Sequence, residues 1–168
     1  ESKLLLEESI AFAQAEAPSL SIVVPRMCTV IGPTRDQSVE RVLNSPWLFG
    51  FRKKEARLQF LNIEDAARIL IRLCLEPGLK GAYNVASEGV LSLSNVAGIL
   101  EKPLVTLPSF VLRLTLDALA RLGLVSCGFG DLVRLHNGAP MQTQRLRQKL
   151  GAPSLTSRQA LALWRVNG

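Results

Sequence analysis

An α/β architecture that gives way to a mostly helical C-terminal portion is what these 168 residues predict, on three observations. Short runs rich in β-branched residues alternate with helical stretches through the first half of the chain, the pattern of strands joined by helical connections. Beyond Pro103 helical periodicity dominates. The strand-like runs number only about three and lie far apart, so the sheet reads as incomplete beside a free-standing doubly wound domain.

The elements follow in order. Residues 2 to 16 are rich in helix formers and place Leu6, Ile10 and Ala13 on one stripe of a half-buried helix, which Pro18 stops. "SLSIVV" suits a buried parallel strand, and Pro25 closes it because proline cannot donate to a ladder. "VIGPT" is turn chemistry. Residues 34 to 56 are polar and mixed, with one helix around Val39 to Leu43 and then an irregular stretch.

"RLQFLNI" reads as a second strand, and "EDAARILIRLCLEPG" as an amphipathic helix with acids at its N-terminal end, where the helix dipole favours them, and Pro77-Gly78 at its close. "GAYNVAS" is a third short strand, after which Ser92 or Ser94 caps the helix through "NVAGIL". Further helices are predicted near 108–123, 143–150 and 156–165, the first begun by Pro108 and the second closed by Gly151.

Composition narrows the function classes. With 48% hydrophobic and 20% charged residues the chain is of ordinary globular make-up. A net charge of +6 invites a nucleic-acid reading, but the cations are scattered except at Arg52-Lys53-Lys54 and at Arg145, Arg147 and Lys149, and only 5% of residues are aromatic. No nucleic-acid partner is therefore expected. The tract "LVTLPSFVLRLTLDALARLGLV" carries Arg113, Asp117 and Arg121 at i, i+4 and i+8, which marks an amphipathic helix rather than a membrane span.

Cys28, Cys74 and Cys127 are odd in number and widely spaced, and read as buried thiols in a reducing cytoplasm. With His136 as the one histidine, no metal site is expected, and His136 itself reads as structural. "CGFGDL" follows no convincing strand, lacks a third glycine and reads as a surface turn.

Taken in order, "SK" in a helix, "VVPRMCTVIGP", "LQFLNIEDAARIL", "GAYNVAS" with "LSLSNVA", and "TQRLRQKLGAPSLTSRQAL" resemble the successive landmarks of the C-terminal half of an extended short-chain dehydrogenase/reductase of the NAD-dependent epimerase/dehydratase family. The resemblance covers nearly the whole chain. It implies the C-terminal part of a Rossmann-like doubly wound domain with a small, mostly helical substrate-binding domain. Residues 1–33 would belong to the NAD(P)-binding part, and 34–168 to a substrate region interleaved with the last Rossmann strand and helix at about 57–76.

The same resemblance implies roles for particular residues. Lys3 matches the lysine of YxxxK, where a lysine cation lowers the pKa of a catalytic tyrosine and bonds the nicotinamide ribose; the plain alternative is a solvated helix lysine. The matching tyrosine would fall two positions before Glu1, so the chain is expected to be a fragment, inactive alone, of a longer cytoplasmic enzyme. Met27 and Cys28 match residues that pass the nicotinamide of NAD or NADP, and Thr29 a substrate-contacting position, against the reading of an ordinary loop threonine.

Arg57 lies one residue early for the arginine of nucleotide-sugar enzymes, Asn62 replaces the usual histidine, and Gln142 an aspartate. Arg26 reads equally as a binding residue or a salt-bridge partner. Asp65 and Asn84 read as structural, and Tyr83 is wrongly spaced for the catalytic tyrosine. The substrate expected is a nucleotide sugar, with a hydrophobic alcohol or ketone as the alternative suggested by the apolar 108–123 helix. A non-catalytic regulatory or assembly module and a homodimer built on the lysine helix are further implications of the family.

Overall fold

The computed structural model describes residues 2–17, 19–33, 38–125 and 127–167, with the side chains of all of these but 2–4, 11, 38 and 167. Helix α1 spans Ser2–Glu16 and is followed by one extended run that forms β1 (Val23–Met27) and β2 (Thr29–Ile31). Then come α2 (Ser38–Asn44), β3 (Leu48–Phe51), β4 (Arg57–Leu58), β5 (Phe60–Asn62) and α3 (Ile63–Leu75). β6 (Gly81–Val85), β7 (Leu91–Ser92), α4 (Leu93–Leu100) and β8 (Leu104–Leu107) precede four helices: α5 (Ser109–Arg121), α6 (Phe129–His136), α7 (Gln144–Leu150) and α8 (Ser157–Asn167).

Three strand pairs are parallel, β1 with β6, β2 with β5 and β3 with β8, while β4 and β7 pair antiparallel. Parallel pairs need a crossover connection, and α3 supplies one, packing Ala66, Ile69 and Leu73 with Leu61, Tyr83 and Val85 in one apolar cluster that also takes Leu146 and Leu150 of α7. A second, larger cluster gathers Leu48 and Phe49 of β3 with Val96 and Leu100 of α4, Leu112 and Leu116 of α5, Leu132 and Leu135 of α6, and Leu161 and Trp164 of α8. The mixed α/β class and the helical C-terminal portion agree with the sequence.

Local chemistry sets the boundaries. Asn62 caps α3 by accepting the Glu64 N–H at 2.8 Å. Ser92 accepts the Asn95 N–H at 3.1 Å while the Asn95 side chain accepts the Ser92 N–H, a reciprocal pair that starts α4.

Several expectations are corrected. Among the described residues there are eight strands, because "LFGF", "LS" and "LVTL" lack the alternation that identifies a strand; β3 and β8 exist through each other, Leu48 to Phe51 in register with Leu104 to Leu107. "RLQFLNI" is two strands broken at Gln59, which turn to different partners.

"CGFGDL" is the start of α6, whose Gly128 N–H donates to the Asp131 carboxylate at 3.0 Å. In α1, Leu6 is 61% exposed, because the described part of the helix meets the chain through polar ties: Glu7 to Arg26, and Gln14 Nε2 donating to the Ile22 carbonyl at 3.2 Å. Cys127 is buried and Cys28 half-buried, but Cys74 is exposed on the solvent side of α3, next to the buried stripe that ends at Leu73.

Candidate active site

The run 23–31 changes partner in the middle. Through Met27 it is in register with β6, ending at Met27 opposite Val85, and the Cys28 N–H still donates to the Val85 carbonyl at 3.0 Å. From Thr29 it pairs instead with Phe60 of β5. Cys28 thus sits at a fork where two parallel ladders separate, beyond the carboxyl ends of β1 and β6. In open parallel sheets such a fork leaves a crevice, because the loops leaving neighbouring strands go opposite ways.

A hollow of about 230 Å³ lies there, walled by Met27, Cys28 and Thr29 on one side and by Arg57, Leu58 and Gln59 on the other, and closed by the turn after α6 at Gly138 and Met141. The structure therefore brings Met27, Cys28, Thr29 and Arg57, four positions singled out from the sequence, to one cleft. The side chain of Lys3 lies outside the described residues.

Thr29 is half-buried, and among the described residues its hydroxyl makes no hydrogen bond. Arg57 is exposed, and among the described residues its guanidinium has no carboxylate partner. A cation and a hydroxyl thus face the hollow uncommitted, which suits a polar or anionic ligand. Desolvation pushes the Cys28 thiol up to about 11, so at neutral pH it is an uncharged wall and not a nucleophile.

Gln59 escaped sequence reading. Its Oε1 accepts the Met141 N–H at 2.7 Å and its Nε2 donates to the Ser87 carbonyl at 3.3 Å, so it ties the closing turn to the fork. A glutamine inside a strand-like run carries no signal of bonds to residues 28 and 82 positions away. Asn84 Nδ2 helps by donating to the Gln142 carbonyl at 3.0 Å. Arg145 bonds the Ala82 carbonyl at 3.0 Å and lies 4.4 Å over the Tyr83 ring, which is buried beneath it.

The remaining candidates are held by partners within the chain. Arg26 pairs with Glu7, Nε to Oε1 at 2.8 Å, and that hydrogen bond lowers the Glu7 pKa and raises its own. Asp65, 2% exposed, accepts from Arg68, Ser154 and the Leu155 N–H, binding α3 to the segment before α8. His136 is buried, with Nδ1 donating to the Leu132 carbonyl at 3.1 Å. Among the described residues no three His, Cys, Asp or Glu side chains are grouped to hold a metal ion, and no helix is long and apolar enough to cross a membrane.

Comparison with solved structures shows the fold: the chain has the Rossmann-like α/β fold found in NAD-dependent epimerases and dehydratases. UDP-glucose 4-epimerase from Bifidobacterium longum, in complex with NAD+ and UDP, superposes with a TM-score of 0.65 at 14% identity over 99% of this chain and 54% of that one. dTDP-glucose 4,6-dehydratase from Bacillus anthracis, in complex with NAD, gives 0.62 at 12% identity over 96% of this chain and 49% of that one.

Among curated sequences, an uncharacterized protein of Mycobacterium tuberculosis is 30% identical over 135 residues, 80% of this chain and 35% of its own length. No family model matches. The chain thus spans about half of the solved structures and about a third of that curated relative.

Proposed function

We propose that this chain is the substrate-side portion of an NAD(P)-dependent epimerase/dehydratase-type oxidoreductase acting on a nucleotide sugar. Residues 1–33 belong to the coenzyme-binding part, and 34–168 to the substrate region interleaved with the strand and helix at about 57–76. The observation that carries the reading is the fork cleft, where Met27, Cys28 and Thr29 face an uncommitted Arg57.

The residues present suit the nicotinamide end of the coenzyme. Met27 and Cys28 offer an apolar, unreactive wall, and Thr29 a free hydroxyl. They do not suit its pyrophosphate: at the one glycine pair that opens a described helix, the Asp131 carboxylate already takes the Gly128 N–H and would repel an anion. That cradle belongs to the half of the fold that this chain does not span.

When bound against Met27, Cys28 and Thr29, the coenzyme would supply a hydride acceptor and donor for a substrate hydroxyl carbon. Lys3, as the lysine of YxxxK, holds a positive charge beside a tyrosine four residues earlier in the longer protein, favouring phenolate so that the tyrosine can take the hydroxyl proton. Thr29 bonds the reacting sugar, and Arg57 meets the diphosphate with charge-assisted hydrogen bonds.

The test is Lys3→Ala in the longer protein. Turnover should fall by about a hundredfold or more, and the activity that remains should appear only at higher pH, because the tyrosine then titrates nearer its ordinary range. Unchanged turnover with an unchanged pH profile overturns the assignment.

A further inference from the structure

The molecule has a larger hollow away from the fork. About 550 Å³ in volume, it lies between the end of β3, the start of α5 and the outer face of α6. It shares no lining residue with the fork cleft. Its floor is apolar and pre-formed: Phe51 and Phe129 meet edge to face with ring centroids 5.9 Å apart, and Val133 and Pro108 complete it. Cavities of this size hold small organic ligands.

The rim is cationic. Arg52 and Lys53 are exposed on it, and among the described residues neither is paired with a carboxylate. Lys54 also lines the hollow and donates to Asn137 Oδ1 at 2.8 Å. No acidic side chain is among the described lining residues. The acid nearest in sequence to Phe129, Asp131, is engaged by Arg41 at 3.1 Å and by the Gly128 N–H.

After Ser109, a lining residue, α5 presents Phe110 at 69% exposure and Leu114 at 68%, one turn apart on the same face. A cavity with an oily floor and a cationic rim that meets no carboxylate among the described residues fits a molecule with an aliphatic body and an anionic head.

We infer that this hollow is a binding site for an amphiphilic anion, an alkyl or isoprenoid chain ending in a phosphate or carboxylate. The apolar body lies on Phe51, Phe129 and Val133, and the head group meets Arg52 and Lys53. Burial of chain carbons supplies most of the affinity, and the two cations select for charge.

The probe is dodecyl phosphate, held below its micelle concentration and titrated calorimetrically into the full chain. Saturable one-to-one binding is expected, with dodecyltrimethylammonium and inorganic phosphate both failing to compete. Ser109→Trp, which fills the mouth from an exposed position, should abolish binding. The double change Arg52→Ser with Lys53→Ser should weaken it at least about tenfold, as expected for the loss of charge-assisted bonds.

Arg57→Ala, in the fork cleft, should leave this affinity unchanged, so failure here and failure of the proposed function are separable. No saturable binding, equal binding of the ammonium probe, or binding that Ser109→Trp does not reduce would each overturn the inference. So would adsorption to anionic phosphatidylglycerol vesicles equally strong in the Ser109→Trp variant, since that would assign the patch to a membrane surface.

Discussion

Asp65→Ala should release the C-terminal segment from the α/β part of the molecule, and the structure sets the size of the effect. The carboxylate is 2% exposed and accepts the Leu155 N–H at 3.0 Å, the Ser154 hydroxyl and Arg68 Nη1 at 2.7 Å. A hydrogen bond to a charged group contributes about 1.5–3 kcal/mol, and a buried donor left without a partner adds a desolvation cost. Part of this is offset because the variant no longer buries a charge.

A loss of about 3 kcal/mol is therefore expected, equivalent to a fall in Tm of roughly 6–12 °C for a chain of this length. The Arg68 contact adds little, since its side chain is 58% exposed, and Arg68→Ala should cost no more than about 1 kcal/mol. Urea unfolding followed by the fluorescence of Trp164, which packs in α8 against the larger core, measures both. Equal losses in the two variants, or less than about 1 kcal/mol for Asp65→Ala, would refute the assignment of Asp65 as the clamp.

Three further outcomes follow from the same geometry. Burial lowers the His136 pKa below 6.5, so the unfolded chain binds a proton more readily than the folded one. Stability should fall as pH drops through about 6.5 and level off below the folded-state value, and His136→Phe should remove that slope in denaturant titrations. Gly32→Ala would drive a methyl into Ile63 Cγ2, and a loss of about 1–3 kcal/mol is expected by calorimetry from overpacking where the chain leaves β2. Alkylation of Cys28, followed by mass spectrometry, should keep rising through pH 10, because its thiol titrates at about 11; a plateau near pH 9 would show that the fork is wet.

The parts of this fold that were legible from sequence are those governed by short-range chemistry. The stop at Pro77-Gly78, the Ser92 cap and the stripe on α3 each rest on residues within about a turn of one another. β3 and β8 were hidden because each is defined by a partner more than fifty residues away. α6 was hidden because its start uses glycine with a carboxylate reaching back from Asp131, in place of a Ser or Thr cap.

Met27, Cys28, Thr29 and Arg57, which line one cleft, were singled out through motif order. Gln59 and the Gly138–Met141 turn were not, since their role arises only when β4 and β5 diverge and α6 ends beside them.

The central claim is that the fork beyond β1 takes the nicotinamide end of a dinucleotide, and alkylation of Cys28 in the longer protein tests it most directly. With NAD at about ten times its dissociation constant, labelling should slow by about tenfold by mass action, while Cys74, exposed on α3, reacts at an unchanged rate. Equal Cys28 rates with and without NAD, in protein shown by calorimetry to be saturated, would contradict the account.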